Sequence, residues 1–461
     1  MFTRISTKQV LIIGVLLSSA LMVMFPFSGH PLNFSYSAAV VLLTLALWST
    51  GALPPFLTGL IFFSLAVIFQ LAEPSLLFSG FSSTAVWLII SGFVIGAAIS
   101  SSGLGDRVAA LIAPFLTQSY SRLILGLVVM AMALGFVMPS SVGRAVVLVP
   151  IGMALAERVG FSKGSNGRIG IAVALAIACN MPSFAVLPSN IPNMILAGSS
   201  ETLFGLHFGY TEYLLLHFPI LGIVKSLFLV WLVLRLFPAE ITRTEAAEAT
   251  SLSYDRKQQK KVIALLGMTL FFWVTDSIHG VNPAWVGLAT AVILLMPKLG
   301  VVEPKSFNRS IDFATVVFVA AALGLGALVN VSGLGAAMGE LFSHLLPTSS
   351  DHSFLSFMAL SLISTLTGLV ATIPGVPTVL SPMAADFAQA SGFSLSAVLM
   401  TQVIGFSTVI FPYQVGPLIV AMQLSNESLA KLVKVTLPLA GITVALLMPL
   451  DYFWWLLLGW I

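Results

Sequence analysis

The sequence predicts an all-α polytopic membrane protein of about eleven transmembrane helices and two re-entrant hairpins, set out as two inverted repeats. Composition is the first reason. Of 461 residues, 58% are hydrophobic and 8% charged, and the mean hydropathy is +1.04, whereas a soluble chain carries about 25% charged residues. The second is an internal repeat of roughly a hundred residues, each copy holding a Pro/Gly-interrupted apolar segment. The third is the one-sided placement of Lys and Arg, because inner loops keep positive charge and translocated loops lack it.

The repeat is read from landmarks in the same order. Ala97 and Ser102-Gly103-Leu104-Gly105 recur as Ala327 and Ser332-Gly333-Leu334-Gly335, then Gly143 and Pro150 as Gly375 and Pro382. Leu187-Pro188-Ser189-Asn190 with Ile195 and Ala197 is echoed by Phe411-Pro412-Tyr413-Gln414 with Ile419 and Ala421. Such a pair in a membrane protein points to a transporter whose site lies between the copies.

Taken in order, the first span is 10–27; it follows Arg4 and Lys8 but lacks a small-x-small cleavage site, so it stays as a membrane helix. Apolar runs at 37–50, 56–71 and 85–101 are the next three. A hairpin fills 122–157, turning at Met138-Pro139-Ser140-Ser141-Val142-Gly143-Arg144, where Pro139 and Gly143 disrupt helical backbone. The span 169–197 is broken by Pro182, Pro188 and Pro192. Spans 213–237, 262–278 and 285–297 surround the hydrophilic connector 238–261, which holds Glu240, Glu245, Glu248 and the basic cluster Arg256, Lys257, Lys260 and Lys261. Span 313–331 opens the second copy. The second hairpin is 354–390, with Thr372-Ile373-Pro374-Gly375-Val376-Pro377-Thr378 at its turn. The span 395–422 is broken at Phe411-Pro412-Tyr413-Gln414-Val415-Gly416-Pro417, and 429–458 is last.

With the N-terminus inside, this map places Arg4, Lys8, Arg107, Arg122, Arg158, Lys163, Arg168, Arg235, Arg243, Lys298, Lys305, Arg309, Lys431, Lys434 and the connector cluster on the inner side. Arg144 and Lys225 remain at membrane depth. Copy one begins running inward at Ala85 and copy two outward at Phe313, so the copies are inverted and the hairpins enter from opposite faces. The pI near 9.0 therefore reflects inner loops and not nucleic-acid binding. The connector cluster is a positive-inside anchor, with anionic membrane lipid as its alternative partner. Cys179 is the one cysteine, which leaves no disulfide or thiolate metal site within the chain. Its plain reading is a small buried apolar residue.

Chemistry is expected where helices break, because backbone groups freed inside a bilayer must find partners and a bound ion or substrate can supply them. The second arm of the first hairpin begins at Ser140 and Ser141, with N-terminal amides aimed inward in the manner that favours an anion. Arg144 is the sharpest single residue. Its planar donors suit carboxylate, sulfate or phosphate oxygens, and the alternative is that it caps carbonyls or pairs with Asp386. Lys225 reads as an interface or snorkelling residue. Asp386 reads either as a proton or cation ligand or as a water-facing carboxylate.

These residues together resemble the divalent anion/sodium symporters, the family of dicarboxylate, citrate and sulfate carriers, over 85–422, within a wider ion-transporter superfamily. The features that carry the resemblance are Ser-Gly-Leu-Gly after a span, Pro139-Ser140-Ser141 with a following Arg, the Leu-x-Pro of Leu148-Val149-Pro150, and a Pro/Asn-rich broken helix. The resemblance implies a homodimeric elevator in the inner membrane, N-terminus cytoplasmic and C-terminus outside. It implies scaffold helices at 1–84 and 212–311, a first repeat at 85–211, a second at 312–424 and a C-terminal helix at 425–461. Substrate would meet Ser140, Ser141, Gly143, Arg144, Ser189, Asn190, Pro377, Thr378, Tyr413 and Gln414, and Na+ as coupling ion would meet Ser140, Asn190, Thr372 and Gly375. The family's Ser-Asn-Thr signature is degenerate here, reading Ser140-Ser141-Val142 at the first tip and Thr372-Ile373-Pro374 at the second. That puts the second sodium site in doubt and keeps proton coupling or anion exchange as alternatives. The absence of a phosphate-binding Gly-x-x-x-x-Gly-Lys-Ser/Thr loop points to a secondary carrier that uses no ATP, and a membrane-embedded enzyme is disfavoured, since His30, His207, His217, His279, His344 and His352 show no metal-ligand spacing. An ion channel is disfavoured by the paired hairpins.

Overall fold

The computed structural model describes residues 7–104, 107, 115–138, 140–241, 255–343 and 353–461. Arg4, Gly105, Pro139, Arg243, Glu245, Glu248, His344 and His352 lie outside them. The described residues are helical, without strands. In chain order the main helices are α1 Thr7–Met24, α2 Leu32–Thr50, α3 Pro55–Ile68, α4 Thr84–Ser101, α5 Tyr120–Val137, α6 Ser141–Arg158, α7 Asn166–Ala178, α8 Ile191–Phe204 and α9 Tyr210–Leu236. There follow α10 Arg256–Val274, α11 Pro283–Leu295, α12 Phe313–Val331, α13 Leu334–Ser343, α14 Ser353–Val370, α15 Thr372–Ser391, α16 Leu395–Phe406, α17 Gly416–Ser425 and α18 Ala430–Leu458.

Seven of these helices, together with α7 extended through the turn that follows it (Asn166–Ala185), are long and apolar enough to cross a bilayer, eight in all, or nine if α15 and α16, which meet at 116°, count as one span. Helices α3 and α11 hold 14 and 13 residues, about 20 Å of helix against a hydrocarbon core of about 30 Å. Both begin at a proline, which starts a helix readily because its missing N–H has no intrahelical partner there anyway. Conversely, α5 and α14, which the sequence assigns to the first arms of the two hairpins, have 18 residues each and pass the same length test. Length alone does not separate a crossing helix from a hairpin arm.

The repeated Ser-Gly-Leu-Gly motif has a backbone explanation. Ser102 and Ser332 end α4 and α12, and the next residues, Gly103 and Gly333, have φ of 65° and 80°. That left-handed conformation closes a helix and suits glycine because it lacks a Cβ.

Two apolar cores form. One gathers α5–α7, α9 and α14–α18; the other gathers α2–α4 and α10–α12. They cut across the sequence repeats, since α4 and α12 open the two copies yet lie in the second core. Helix α8 straddles them, with Leu196 in the first and Met194 and Ile195 in the second. The copies interlock by exchange: α8 packs on α15, the second hairpin's later arm, and its counterpart α17 packs on α6, the first hairpin's later arm.

Close backbone approach fixes some of these contacts. A Cβ on Gly324 of α12 would sit 2.2 Å from the carbonyl oxygen of Leu77, an atom that cannot rotate away. Gly324→Ala is expected to destabilise the protein by about 1–3 kcal/mol, read as a lower melting temperature in detergent; an unchanged melt would show that this contact opens freely.

Candidate functional site

The first break spans the residues between α7 and α8, where short 3₁₀ turns at Pro182–Ala185 and Leu187–Ser189 replace regular helix. Pro182 opens the first turn and Pro188 is the second residue of the other, and the freed backbone groups are met by side chains. Ser183 Oγ donates to Asn180 O at 2.5 Å, while Asn190 Nδ2 donates to Ser183 Oγ at 3.0 Å and Asn180 O at 3.3 Å. Asn193 Nδ2 reaches Val186 O at 3.0 Å and Ser183 O at 3.2 Å, and Tyr213 Oη reaches Phe184 O at 2.9 Å. Ser189 Oγ donates to Gly135 O, which ties the break to the end of α5.

Arg144 is fully buried beside it. Its Nε donates to Cys179 O at 2.9 Å, Nη2 to Ser141 Oγ at 2.9 Å, Nη1 to Met138 O, and both terminal nitrogens to Ser189 O at 3.3 Å. All of its donors are thereby committed within the protein. These contacts are carbonyl- and hydroxyl-capping ones. Asp386 is not its partner; it borders a different cleft with Glu340 and His30.

The second break, between α16 and α17, is held by Gln414. Its Oε1 accepts from the backbone N–H of Ile410 and Phe411, both at 2.8 Å, and its Nε2 donates to Gly368 O at 2.9 Å. Tyr413 Oη donates to Leu369 O at 2.9 Å, and Thr436 Oγ1 to Ile410 O at 2.8 Å. Ser189-Asn190 and Tyr413-Gln414 are repeat partners, and within each pair one or both side chains strap the break to the end of its own hairpin's first arm. Each first half-helix is also capped by a buried cation. Arg144 meets Cys179 O after α7, and Lys225 Nζ meets Ser407 O at 2.8 Å after α16, where the helix dipole leaves negative partial charge. The residue in copy two at the place of Arg144 is the apolar Val376, so the cation at that break comes from α9 instead.

Ser140, Ser141 and Asn190 come together on one cavity of about 50 Å³, walled by Ile89, Gly92 and Phe93 of α4 and closed by Val142, Ile191, Met194, Thr315 and Pro417. That volume suits a small ion or one or two waters. Three helix N-termini open onto it: α6 at Ser141 and Val142, α8 at Ile191 and α17 at Pro417. Asn190 and Val415 make no side-chain cap on α8 or α17, whereas Ser140 Oγ accepts from Gly143 N at 3.0 Å on α6. A fourth, α12 at Thr315, is already capped by the Asp312 carboxylate. No lining side chain is charged, so the dipole ends and polar groups set the local preference, which is for an anion. Gly143 lies behind the tip, where a Cβ would meet Met138 Cε at 2.8 Å.

Of the copy-two residues expected at the site, Thr372, Gly375, Pro377, Thr378, Tyr413 and Gln414 do not line this cavity. Pro377 and Thr378 are buried on α15, with Thr378 Oγ1 lacking a hydrogen-bond partner, and Gly375 is buried at the turn. Thr372 has φ of 60°, a strained conformation for a β-branched residue, at the tip of the second hairpin. Residues absent from the sequence reading are Ser183, Thr315, Ser407 and Asp451. Of these only Asp451 carried a signal, an acid inside an apolar run.

A family model for citrate transporters matches residues 43–406. The chain belongs to the citrate transporter family. This agrees with the resemblance to divalent anion carriers. A membrane protein of Cupriavidus necator is 25% identical over 83% of this chain and 77% of its own length. The sodium-dependent dicarboxylate transporter SdcS of Staphylococcus saprophyticus is 22% identical over 71% and 69%, and the L-tartrate/succinate antiporter of Escherichia coli 23% identical over 76% and 75%. Among solved structures the YdaH transporter of Alcanivorax borkumensis shares the fold, with a TM-score of 0.58 and 14% identity over 93% of this chain and 99% of that one. The citrate transporter family and the relatives named for an activity are transporters and not enzymes.

Proposed function

We propose that this chain is a secondary active carrier of a small dicarboxylate, tricarboxylate or sulfate-like anion, embedded in the inner membrane with its N-terminus cytoplasmic and its C-terminus outside. The observation that carries the reading is the convergence of three helix N-termini with Ser140, Ser141 and Asn190 on one cavity free of charged side chains. The core containing both hairpins is the moving body and the core of α2–α4 and α10–α12 is the scaffold, so the carrier works as an elevator, as a homodimer of eleven spans and two re-entrant hairpins. At about 50 Å³ the cavity is in a contracted state and widens on substrate binding. The anion is held by helix amides and by Ser140, Ser141 and Asn190, whose amide turns from Ser183 Oγ and Asn180 O toward it on binding, while Arg144, Ser189, Tyr413 and Gln414 hold the breaks in shape. Sodium is the coupling ion suggested by the dicarboxylate relative, and exchange the mode suggested by the antiporter.

The test is uptake of labelled citrate, succinate and sulfate into proteoliposomes, with and without a sodium or proton gradient. Asn190→Ala is expected to weaken binding of the transported anion about tenfold, since a hydrogen bond to a charged group contributes about 1.5–3 kcal/mol. Absence of uptake of all three anions, or unchanged affinity in Asn190→Ala, would remove the reading.

A further inference from the structure

Helices α9 and α18 are each interrupted by a π-helical turn, at Phe218–Val224 and Thr443–Leu447, and the two turns lie against each other. π-turns within α-helices occur frequently at functional sites. Directly after the first comes Lys225, and four residues after the second comes Asp451. Both are buried, Asp451 completely. Lys225 Nζ donates to Ser407 O at 2.8 Å and Ser407 Oγ at 3.4 Å, which leaves one of its three protons uncommitted. Neither oxygen of Asp451 has a hydrogen-bond partner in the protein, and the contact between the two π-turns holds Lys225 and Asp451 on adjoining helices.

We propose that Lys225 and Asp451 form a proton-binding site coupled to the second break, deepening the carrier reading, on which it rests, by naming the coupling ion and its residues. An ionised carboxylate buried without a donor is expensive, and two arrangements relieve it: a bound proton, or direct contact with the Lys225 ammonium. A proton from water forms an O–H bond on Asp451 and leaves the ammonium on the Ser407 carbonyl. Loss of that proton draws the ammonium toward Asp451 and releases the carbonyl that ends α16. The protonation state thus acts on the backbone of the break through an existing hydrogen bond.

Other titratable groups border the pair. His217 is buried, with Nε2 3.3 Å from Met400 Sδ and its ring 5.8 Å from that of Trp455, one turn beyond Asp451; Tyr213 packs on it and Tyr452 adjoins Asp451. The charged groups on the helices packed around it are Arg122, Arg168 and Lys431 with Lys434 near the starts of α5, α7 and α18, and Glu212 and Arg235 toward the ends of α9. Arg168 is paired with Glu157 and with Glu427, just before α18.

The experiment uses the full chain in proteoliposomes carrying a luminal pH dye, with citrate and succinate as probes in sodium-free buffer. Wild type is expected to acidify the lumen as the probe enters, and Asp451→Asn to lose that signal while keeping probe-for-probe exchange. The pair variant Lys225→Met with Asp451→Asn strands no charge and is expected to fold and lose the signal equally. Wild-type acidification in either variant, wild-type uptake driven by sodium without acidification, or loss of the signal in His217→Gln with none in Asp451→Asn would overturn the proposal. An infrared pH titration of the same proteins reads the site without transport. A carboxylic-acid C=O band that titrates in wild type and is missing in Asp451→Asn supports the proton site even if neither probe is carried, in which case only the carrier reading falls. The same band in both proteins overturns the site.

Discussion

Arg144→Ala is expected to destabilise the folded protein more than any other single truncation at the breaks. The guanidinium holds the carbonyls of Cys179, Met138 and Ser189 and the Ser141 hydroxyl, and no water reaches the position because the side chain is fully buried. Stranding a buried carbonyl costs about 1–3 kcal/mol, so three together amount to something on the order of 5 kcal/mol. Set against typical net stabilities of about 5–15 kcal/mol, that is a large fraction. The melting temperature in detergent is expected to fall by roughly 10 °C. Arg144→Lys restores a charge but not the planar fork, and is expected to recover only part of the loss. The discriminating measurement is anion affinity on the folded fraction. A capping role leaves it within about tenfold of wild type, the effect of losing one charge-assisted bond. A stable Arg144→Ala protein that has lost its anion would instead return the guanidinium to the ligand.

Much of this architecture was legible because it is written in local rules. Pro182, Pro188 and Pro192 mark a broken helix wherever they fall, and the two Ser-Gly-Leu-Gly copies mark helix ends because Gly103 and Gly333 take left-handed backbone. The cavity residues Ser140, Ser141 and Asn190 were read for the same reason, since each stands where a helix begins again inside an apolar segment. What the sequence hides is partnership across distance. Nothing local links Lys225 to Ser407, or Gln414 to Gly368. A count of charges likewise does not reveal that Arg144 meets carbonyls from three segments. Nor does hydropathy say which helices share a core, because lipid-facing and protein-facing sides of a membrane helix are equally apolar. Asp451 is a different case, legible by the rule that marks Arg144, because an acid inside an apolar run is costly in the same way.

Covalently joining α4 to α8 is expected to stop transport outright. Helix α4 lies in the core of α2–α4 and α10–α12, the proposed scaffold, and packs on α11, while α8 carries the first break and therefore one wall of the proposed anion cavity. The two touch at Ala85 and Gly198, where a Cβ on Gly198 would lie 3.0 Å from Ala85 Cβ. A disulfide needs Cβ atoms about 3.5–4.5 Å apart, so a shift of less than an ångström admits one; the nearby Leu323 methyls, at 3.0 and 3.1 Å, are flexible ends that can yield. Cys179 is best replaced by Ala beforehand, because Arg144 uses its carbonyl and not its thiol. If the cavity crosses the membrane by sliding of one core past the other, oxidised Ala85→Cys with Gly198→Cys loses uptake, and reduction restores it. Anion binding persists in the oxidised protein, since the bond lies outside the cavity. Each single variant transports, which removes the substitutions themselves as the cause. Wild-type uptake by fully cross-linked protein would mean that α4 and α8 keep their contact throughout the cycle, and the moving boundary would then have to lie elsewhere than along the face where α8 meets the scaffold.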